Sequence, residues 1–299
     1  MKILVSGSHG LVGSAFIDSV RKDGVEVYSL VRGAPKSDLE IEWHPNHADL
    51  KVSDIEGMDV VVHLAGESIA EGRWSDDKKK RIRDSRVNGT AMLSRALVKL
   101  NRPPQVFVCA SAIGYYGSRG DEVLTEASSP GDDFLSSVCV EWEQATEPAS
   151  NKGIRTVKAR FGIILSTDGG ALAKMLPPFR MGVGGRVGDG KQWMSWIALD
   201  DVVSGLRFVI ETDEMSGPVN FVAPNPVTNS EFTKSLGKAL SRPTIFPIPA
   251  FAVRLAFGEM ADALLLSSTR VNPVELTKAG YDFSHPHLAE ALQSVLAKA

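Results

Sequence analysis

The sequence opens on Lys2-Ile3-Leu4-Val5-Ser6-Gly7-Ser8-His9-Gly10-Leu11-Val12-Gly13, and this stretch decides the fold. Its apolar start predicts a short buried strand, and the residues from Leu11 to about Lys22 follow a helical pattern. The glycines between them permit a tight turn at Gly7, a close approach of backbone to a pyrophosphate at Gly10, and helix–strand packing at Gly13. The stretch therefore predicts a dinucleotide-binding loop at a helix N-terminus, with a ligand-free glycine turn as the alternative.

The same alternation of strand and helix continues along the chain. Apolar runs at 25–31, 59–64, 106–110 and 154–159 predict four more strands, and the stretches 76–100 and 134–150 predict helices between them. Strands that are apolar throughout and alternate with helices are typical of a parallel sheet buried on both faces. We expect an α/β fold, a Rossmann-like doubly wound parallel sheet with ligand loops at the carboxyl ends of its strands and a small C-terminal α+β lobe.

The regular alternation of strand and helix patterns ends at about Gly162. Gly169-Gly170 and the glycines of 182–190 predict a loop-rich region, followed by a helix at 199–210 and a late strand at 218–222. Asn/Ser capping predicts a helix at 229–240, and the apolar segment 251–266 is expected to be helical and to pack onto the main domain. We assign residues 1–165, with roughly 195–224, to the nucleotide-binding domain, and 166–194 with 225–299 to the smaller lobe.

Composition narrows the class of protein. A net charge of -3 over 299 residues argues against a nucleic-acid partner, because proteins that bind nucleic acids usually carry an excess of positive charge. Two cysteines are too few for a disulfide framework, and the six histidines (9, 44, 47, 63, 285 and 287) show no ligand spacing, so no metal site is predicted. The chain enters a strand directly, without a leader pattern, and no apolar run reaches the roughly 20 residues of a membrane helix. We expect a cytoplasmic protein with a small-molecule substrate and no membrane partner, and leave a homodimer open.

The end of the second strand indicates which dinucleotide is bound. An NAD site places an acid there for the ribose hydroxyls, whereas this chain has Arg32. A guanidinium suits a 2′-phosphate, so the residues favour NADP(H). The alternative is a solvated arginine at a strand end.

A resemblance to a known family rests on the glycine loop, on Arg32 and on two further stretches, His63-Leu64-Ala65-Gly66 and Ser111-Ala112-Ile113-Gly114-Tyr115-Tyr116-Gly117. The chain resembles the extended short-chain dehydrogenase/reductase superfamily. More narrowly, it resembles the atypical "epimerase family protein" branch, which is NAD-dependent epimerase/dehydratase-like and carries a small C-terminal domain of unknown function. The cofactor-binding residues that the loop and the resemblance imply are Gly7, His9, Gly10, Leu11, Val12, Gly13, Arg32, Leu64, Ala65, Gly66, Glu67, Arg86 and Ala110.

The superfamily's catalytic pair is missing. Its enzymes use Tyr-x-x-x-Lys, in which the tyrosine is the acid/base and the lysine lowers the tyrosine pKa. Phe134 and Val138 stand at the two positions here, although Asn88 matches the superfamily's Asn-x-Gly-Thr element. The remaining catalytic candidates are Ser111, Tyr115 and Tyr116, each weighed against a purely structural role.

Three further stretches have structural interpretations. The run 76–81 is expected to be a solvated helix start, with acids before bases as the helix dipole prefers. Glu141-Trp142-Glu143 is expected to be partly solvated helix surface with Trp142 docked inward. The loop with Gln192, Trp193, Ser195 and Trp196 is expected to form a pocket wall, its indoles offering stacking surfaces.

Two functions remain open at this stage. One is an NADP-dependent oxidoreductase or epimerase with a non-standard acid/base. The other is a non-catalytic NADP(H)-binding regulatory or scaffold protein, which some members' cell-division label would fit. Phe134 and Val138 speak against a sugar-nucleotide epimerase of ordinary mechanism.

Overall fold

A computed structural model describes residues 1–45 and 50–298 of the chain. His47, one of the six histidines considered as metal ligands, lies outside these residues. The strands are β1 (Lys2–Ser6), β2 (Glu26–Val31), β3 (Glu40–Glu42), β4 (Val60–His63), β5 (Val106–Ala112), β6 (Val123–Leu124), β7 (Arg155–Phe161), β8 (Ile163–Leu165), β9 (Trp193–Met194), β10 (Trp196–Ala198), β11 (Gly217–Phe221), β12 (Val227–Thr228) and β13 (Arg270–Val271). The α-helices are α1 (Leu11–Arg21), α2 (Asp76–Val98), α3 (Phe134–Gln144), α4 (Glu147–Asn151), α5 (Gly170–Arg180), α6 (Leu199–Glu211), α7 (Asn229–Ala239), α8 (Ala250–Phe257), α9 (Val274–Lys278) and α10 (Leu288–Ala297).

The centre of the protein is a parallel sheet of seven strands in the order β11-β7-β5-β4-β1-β2-β3. The predicted Rossmann-like α/β fold is confirmed, and each strand predicted from an apolar run is present. The edge strand β3 was missed because Glu40 and Glu42 flank its one buried residue, Ile41. An exposed edge tolerates charge where a central strand does not.

Register brings the functional loops together. Ser6 at the end of β1 is the partner of His63 at the end of β4, and His63 is the partner of Cys109 in β5. The loops that follow these strands therefore emerge side by side at the carboxyl edge of the sheet, where doubly wound folds bind ligands.

Several helices differ from their predicted bounds. The predicted helix 134–150 is two helices, α3 and α4, and the break falls just before Pro148, which takes a position in the first turn of α4. Helix α5 lies inside the region predicted as loop-rich, where its flanking glycines hid its apolar face. The N-cap of α7 is Thr228, which forms a capping box with Glu231, and not Asn229 or Ser230.

Segment 251–266 lies against residues of the predicted main domain, as expected, because Arg73 donates to the Ala256 carbonyl oxygen and Lys79 donates to Glu259. Much of its apolar surface is nevertheless uncovered. Helix α8 ends at Gly258, whose φ of 62° breaks the helix before a single π-turn at Ala261–Leu265. Of the helix's side chains Val253 is buried, whereas Phe251 and Leu255 are 72% and 75% exposed. The apolar pattern was read correctly as helical, but hydrophobicity alone does not determine what covers a helix.

Buried hydrophobic residues form four clusters in the described part of the chain, the smallest of which holds Tyr116, Leu124, Val222 and Val271. One lies on each face of the sheet, and a third lies between α5, α7, α10 and strands β8–β10, with Trp196 at its centre. Leu276 and Tyr281, far along the chain, pack into the core on the face covered by α1 and α6. In the part of the chain described, no helix is long and apolar enough to cross a membrane.

Candidate cofactor and active site

The glycine loop has the geometry that its spacing predicts. Gly7 adopts a φ of +71°, and a Cβ there would lie 2.8 Å from the carbonyl carbon of Leu64. A Cβ on Gly13 would overlap the Gly7 carbonyl oxygen and lie 2.9 Å from its carbon. By helix geometry, the N–H groups of Leu11, Val12 and Gly13 have no acceptor within α1. The loop therefore presents free donors at a positive helix end, which suits a pyrophosphate.

A cluster of basic side chains surrounds Glu67, just beyond β4. The Lys78 Nζ donates to Glu67 at 2.8 Å, and the Arg81 Nε lies 3.7 Å from the same oxygen. The hydrogen bond from Lys78 lowers the pKa of Glu67, and the charges of Arg81 and Arg32 act in the same direction. Arg32 is exposed at the end of β2 and has no ion pair within residues 1–45 and 50–298.

Lys78 and Arg81 were missed as part of the site. The run 76–81 was predicted to be a solvated helix start, but the Lys78 side chain is buried and 7% exposed. The spacing of Lys78 and Arg81 could have indicated this, because helix residues three apart lie on the same face. Lys78 and Arg81 thus extend toward Glu67, while Asp76, Asp77 and Lys80 are exposed.

Arg86 lies in the cleft beside Gly66. A Cβ on Gly66 would stand 3.3 Å from the Arg86 Cζ, and the guanidinium stacks on the Trp142 ring at 5.2 Å. Its Nη1 donates to the Ile82 carbonyl at 3.0 Å, which fixes the side chain against α2. A cation is therefore held where the predicted cofactor loop turns away from β4.

Apolar side chains fill the positions of the usual catalytic pair. Phe134 packs edge-on against Trp74, with ring centroids 5.4 Å apart, and the Lys79 Nζ lies 4.9 Å from its ring. Val138 is buried. Asn88, which matches a family element, points from α2 into solvent.

Beneath this position lies a buried polar network. Arg160 donates twice to Glu143, from Nε at 2.7 Å and from Nη2 at 2.8 Å, and Ser111 donates to Glu143 at 2.7 Å. Arg160 Nη1 also donates to the Tyr116 hydroxyl at 2.9 Å, and that hydroxyl donates to Asn220 at 2.7 Å. The network satisfies a buried charge pair with charge-assisted hydrogen bonds.

The network corrects the prediction for Glu143, which is 7% exposed and not solvated helix surface. Trp142 docks inward as expected. Arg160 could have indicated that Glu143 is buried. Arg160 directly follows residues 154–159, which are predicted to form a strand buried on both faces, and a buried guanidinium requires a buried acid as its partner.

The three catalytic candidates fall into two groups. The Ser111 and Tyr116 side chains are buried with their hydroxyls engaged, and burial raises the pKa of Tyr116 to about 12. The Tyr115 ring is half-buried and lies 3.5 Å from the Arg160 Cζ. Its hydroxyl makes no hydrogen bond to the described part of the chain. Tyr115 is therefore the candidate whose hydroxyl is open to a ligand.

The predicted pocket wall at 192–196 is largely core. Ser195 and Trp196 are fully buried and Gln192 nearly so, because β9 pairs with β12 and β10 pairs with β8 in two small sheets. Trp196 therefore offers no stacking surface to a ligand. Trp193 is half-buried under the guanidinium of Arg270, 4.1 Å from the ring centroid.

The glycine cradle at the carboxyl edge of a parallel sheet agrees with the comparison to known families. The chain belongs to the NAD dependent epimerase/dehydratase family, which matches residues 3–222. Residues 248–295 match the domain of unknown function DUF1731. The resemblance drawn from the sequence is thus confirmed.

Similar proteins span nearly the whole chain. Epimerase family protein Mb2239 of Mycobacterium bovis is 44% identical over 97% of this chain and 96% of its own length. Epimerase family protein SDR39U1 of Homo sapiens is 34% identical over 99% and 100%. A crystal structure of the human epimerase family protein SDR39U1 (isoform2) with NADPH matches with a TM-score of 0.92 and 32% identity, and covers 100% of both chains.

Proposed function

We propose that this chain binds NADP(H) along the carboxyl edge of the sheet and acts on a small molecule as an oxidoreductase or epimerase without a Tyr-x-x-x-Lys pair. The observation that carries the proposal is the cradle formed by Gly7, Gly13 and Leu64, in which backbone atoms approach too closely for any side chain. The NADPH in the crystal structure of the similar human protein supports it. The described residues fit the group, because the α1 N-terminus supplies donors for a pyrophosphate.

The 2′-phosphate would be held by the basic cluster around Glu67. Arg32 is exposed with no ion pair among residues 1–45 and 50–298, and Arg81 is 60% exposed with its charge turned toward Glu67. A dianionic phosphate takes bidentate hydrogen bonds from guanidinium groups. This arrangement favours NADP(H) over NAD(H), which would place two uncharged hydroxyls there.

For chemistry, Tyr115 is the residue that we assign to the substrate. Bound NADP(H) would supply or accept a hydride. Tyr115 would donate a hydrogen bond from its open hydroxyl to a carbonyl or hydroxyl oxygen, while the stacked Arg160 fixes the plane of its ring. Phe134 and Trp74 would exclude water from the position that the family's tyrosine usually occupies.

The test measures binding and turnover separately. NADPH and NADH are titrated against the protein by fluorescence, and nicotinamide absorbance is then followed with a panel of aldehydes, ketones and sugar nucleotides. Tyr115→Phe keeps the stacked ring and should abolish any turnover found while leaving NADPH affinity unchanged. Tyr28→Phe, in β2, is the control for loss of a phenol hydroxyl elsewhere in the protein, because the Tyr28 ring is half-buried and its hydroxyl bonds only to Glu26 among the described residues. Unaltered turnover in Tyr115→Phe would remove Tyr115 from the mechanism.

A second candidate function is NADP(H) binding without catalysis, in a regulatory or scaffold role. It is favoured by the apolar Phe134 and Val138 and by the engagement of Ser111 and Tyr116 in a structural network. Tight NADPH binding with no turnover across the panel would select this function.

A further inference from the structure

Ser6, at the end of β1, makes three side-chain contacts in a buried position. Its Oγ accepts hydrogen bonds from the backbone N–H of Leu64 at 3.1 Å and of Ala65 at 3.3 Å. The same Oγ lies 2.6 Å from the Nδ1 of His63. Both Ser6 and His63 are buried. The hydroxyl therefore joins β1 to the loop that follows β4.

The proton on this hydroxyl can be assigned by counting donors and acceptors. A hydroxyl has one hydrogen and two lone pairs, and two N–H groups already point at the Ser6 oxygen. Its own hydrogen must then go to His63 Nδ1, so His63 is neutral and carries its hydrogen on Nε2. Burial lowers the pKa of His63 to about 4, which agrees with a neutral ring.

This tautomer leaves His63 Nε2 buried without a hydrogen-bond partner among the described residues. The ring edge meets Trp43 in a T-shaped contact with centroids 5.8 Å apart. A purely space-filling position would be served better by an apolar side chain, because an unpartnered buried N–H is unfavourable. The histidine is therefore explained by its bond to Ser6.

The position of the Leu64–Ala65 backbone matters because it forms one wall of the glycine cradle. A Cβ on Gly7 would lie 2.8 Å from the Leu64 carbonyl carbon and 2.9 Å from the Ala65 nitrogen. On its other side, the His63 ring contacts α2, where a Cβ on Gly89 would lie 3.8 Å from His63 Cε1. His63 thus lies between the cradle and the helix that carries Lys78, Arg81 and Arg86.

We propose that His63 is a positioning residue for the dinucleotide site. Acting through Ser6, it holds the Ala65 N–H and with it the wall of the cradle at the distance that admits a pyrophosphate. The proposal rests on the proposed NADP(H) binding, and it adds that the affinity depends on a hydrogen-bond acceptor at position 63.

A double-mutant cycle tests this coupling. Ser6→Ala and His63→Leu should each lower the affinity for NADPH about tenfold. The affinity of the double variant should be no lower than that of the single variant that binds NADPH less tightly. His63→Asn keeps an acceptor, Oδ1, in the place of Nδ1 and should recover most of the affinity. Additive losses in the double variant, or wild-type affinity in His63→Leu, would overturn the proposal.

A readout without cofactor separates this proposal from the proposed function. The Leu64 N–H is also held by the Ser6 carbonyl oxygen at 3.2 Å, whereas the Ala65 N–H has only the Ser6 hydroxyl among the described residues. Hydrogen exchange at the Ala65 N–H should therefore accelerate in His63→Leu and Ser6→Ala, with the Leu64 N–H as the internal control.

If wild-type protein binds no NADPH, the proposed function fails, while this exchange pattern still tests the coupling between Ser6 and His63. If His63→Leu does not fold, the other two variants still test the coupling, because Ser6→Ala should lower the NADPH affinity whereas His63→Asn should retain most of it. Equal exchange at Ala65 in Ser6→Ala and wild type would contradict the coupling.

Discussion

The guanidinium of Arg160 in β7 and the carboxylate of Glu143 in α3 form two parallel hydrogen bonds of 2.7 and 2.8 Å in the interior of the protein. Both side chains are buried, and Ser111 donates to the same carboxylate. Phe134 and Val138, at the positions where the resemblance places a Tyr-x-x-x-Lys pair, lie in the same helix as Glu143. Here a salt bridge with hydrogen-bonded partners occupies the adjoining interior, so these groups stabilise the fold and support the Tyr115 ring.

Removing the charge of Glu143 should destabilise the protein strongly. Glu143→Gln leaves the Arg160 cation buried without its counter-ion, and breaking a buried pair in this way costs about 3–5 kcal/mol. Urea unfolding measures the free energy. Glu141→Gln in the same helix is the matched control, because its pair with Arg83 is over a third exposed on both sides and contributes below about 1 kcal/mol. Equal losses in the two variants would mean that burial of the Glu143 pair has no energetic effect.

The glycines of the loop should separate stability from binding. Gly13→Ala places a methyl group into the Gly7 carbonyl, so we expect a loss of about 1–3 kcal/mol in unfolding free energy. A Cβ on Gly10 would meet only the Gly7 oxygen at 3.2 Å, so Gly10→Ala should fold nearly as well as wild type. It should nevertheless weaken NADPH binding, because the methyl group would stand where a pyrophosphate approaches the backbone. Thermal unfolding and NADPH titration of both variants check this, and unchanged NADPH affinity in Gly10→Ala contradicts it.

Arg32→Ala should reduce the preference for NADPH over NADH by about tenfold or more, because a charge-assisted contact to the 2′-phosphate is lost. NADH affinity should stay the same. Arg102→Ala removes an exposed arginine that pairs with Asp59 near the amino end of β4, and so controls for the loss of a surface charge. Parallel titrations with the two cofactors decide the matter, and an unchanged ratio in Arg32→Ala would assign the 2′-phosphate to other residues.

The stability of the protein should fall at acid pH through His63. Burial lowers its pKa from 6.5 to about 4, so between these values the unfolded chain binds a proton that the folded protein does not. The contribution is complete above about pH 6.5 and is lost as pH falls to 4, by about 3 kcal/mol. His63→Asn removes the titrating group, so its unfolding free energy should depend less steeply on pH across this window. Denaturant unfolding at pH 7, 5.5 and 4 compares the two proteins, and parallel curves would assign the acid sensitivity to other groups.

The sequence was sufficient for those features that depend on neighbouring residues. The glycine loop occupies residues 7–13, directly after β1 and into the first turn of α1, so its existence and position could be predicted from spacing alone. The absence of the Tyr-x-x-x-Lys pair was equally local, because Phe134 and Val138 lie one helical turn apart.

The buried network could not be predicted in this way. Glu143 and Arg160 are 17 residues apart, and they meet because α3 packs against β5, which is the neighbour of β7 in the sheet. The same holds for Tyr116, in the turn after β5, and Asn220, in β11, which are 104 residues apart in the sequence. The exposure of Phe251 and Leu255 was missed for a related reason, because an apolar helix face does not specify what packs against it.

Leu276 and Tyr281 pack into the core that lies beside α1, and β13 pairs with β6, which precedes it by nearly 150 residues. The chain therefore cannot complete this core before residues 270–281 have left the ribosome. During synthesis, apolar surface on that face of the sheet stays uncovered until residues 270–281 arrive. The core that supports the glycine loop is thus completed by a segment that is synthesised long after the loop itself.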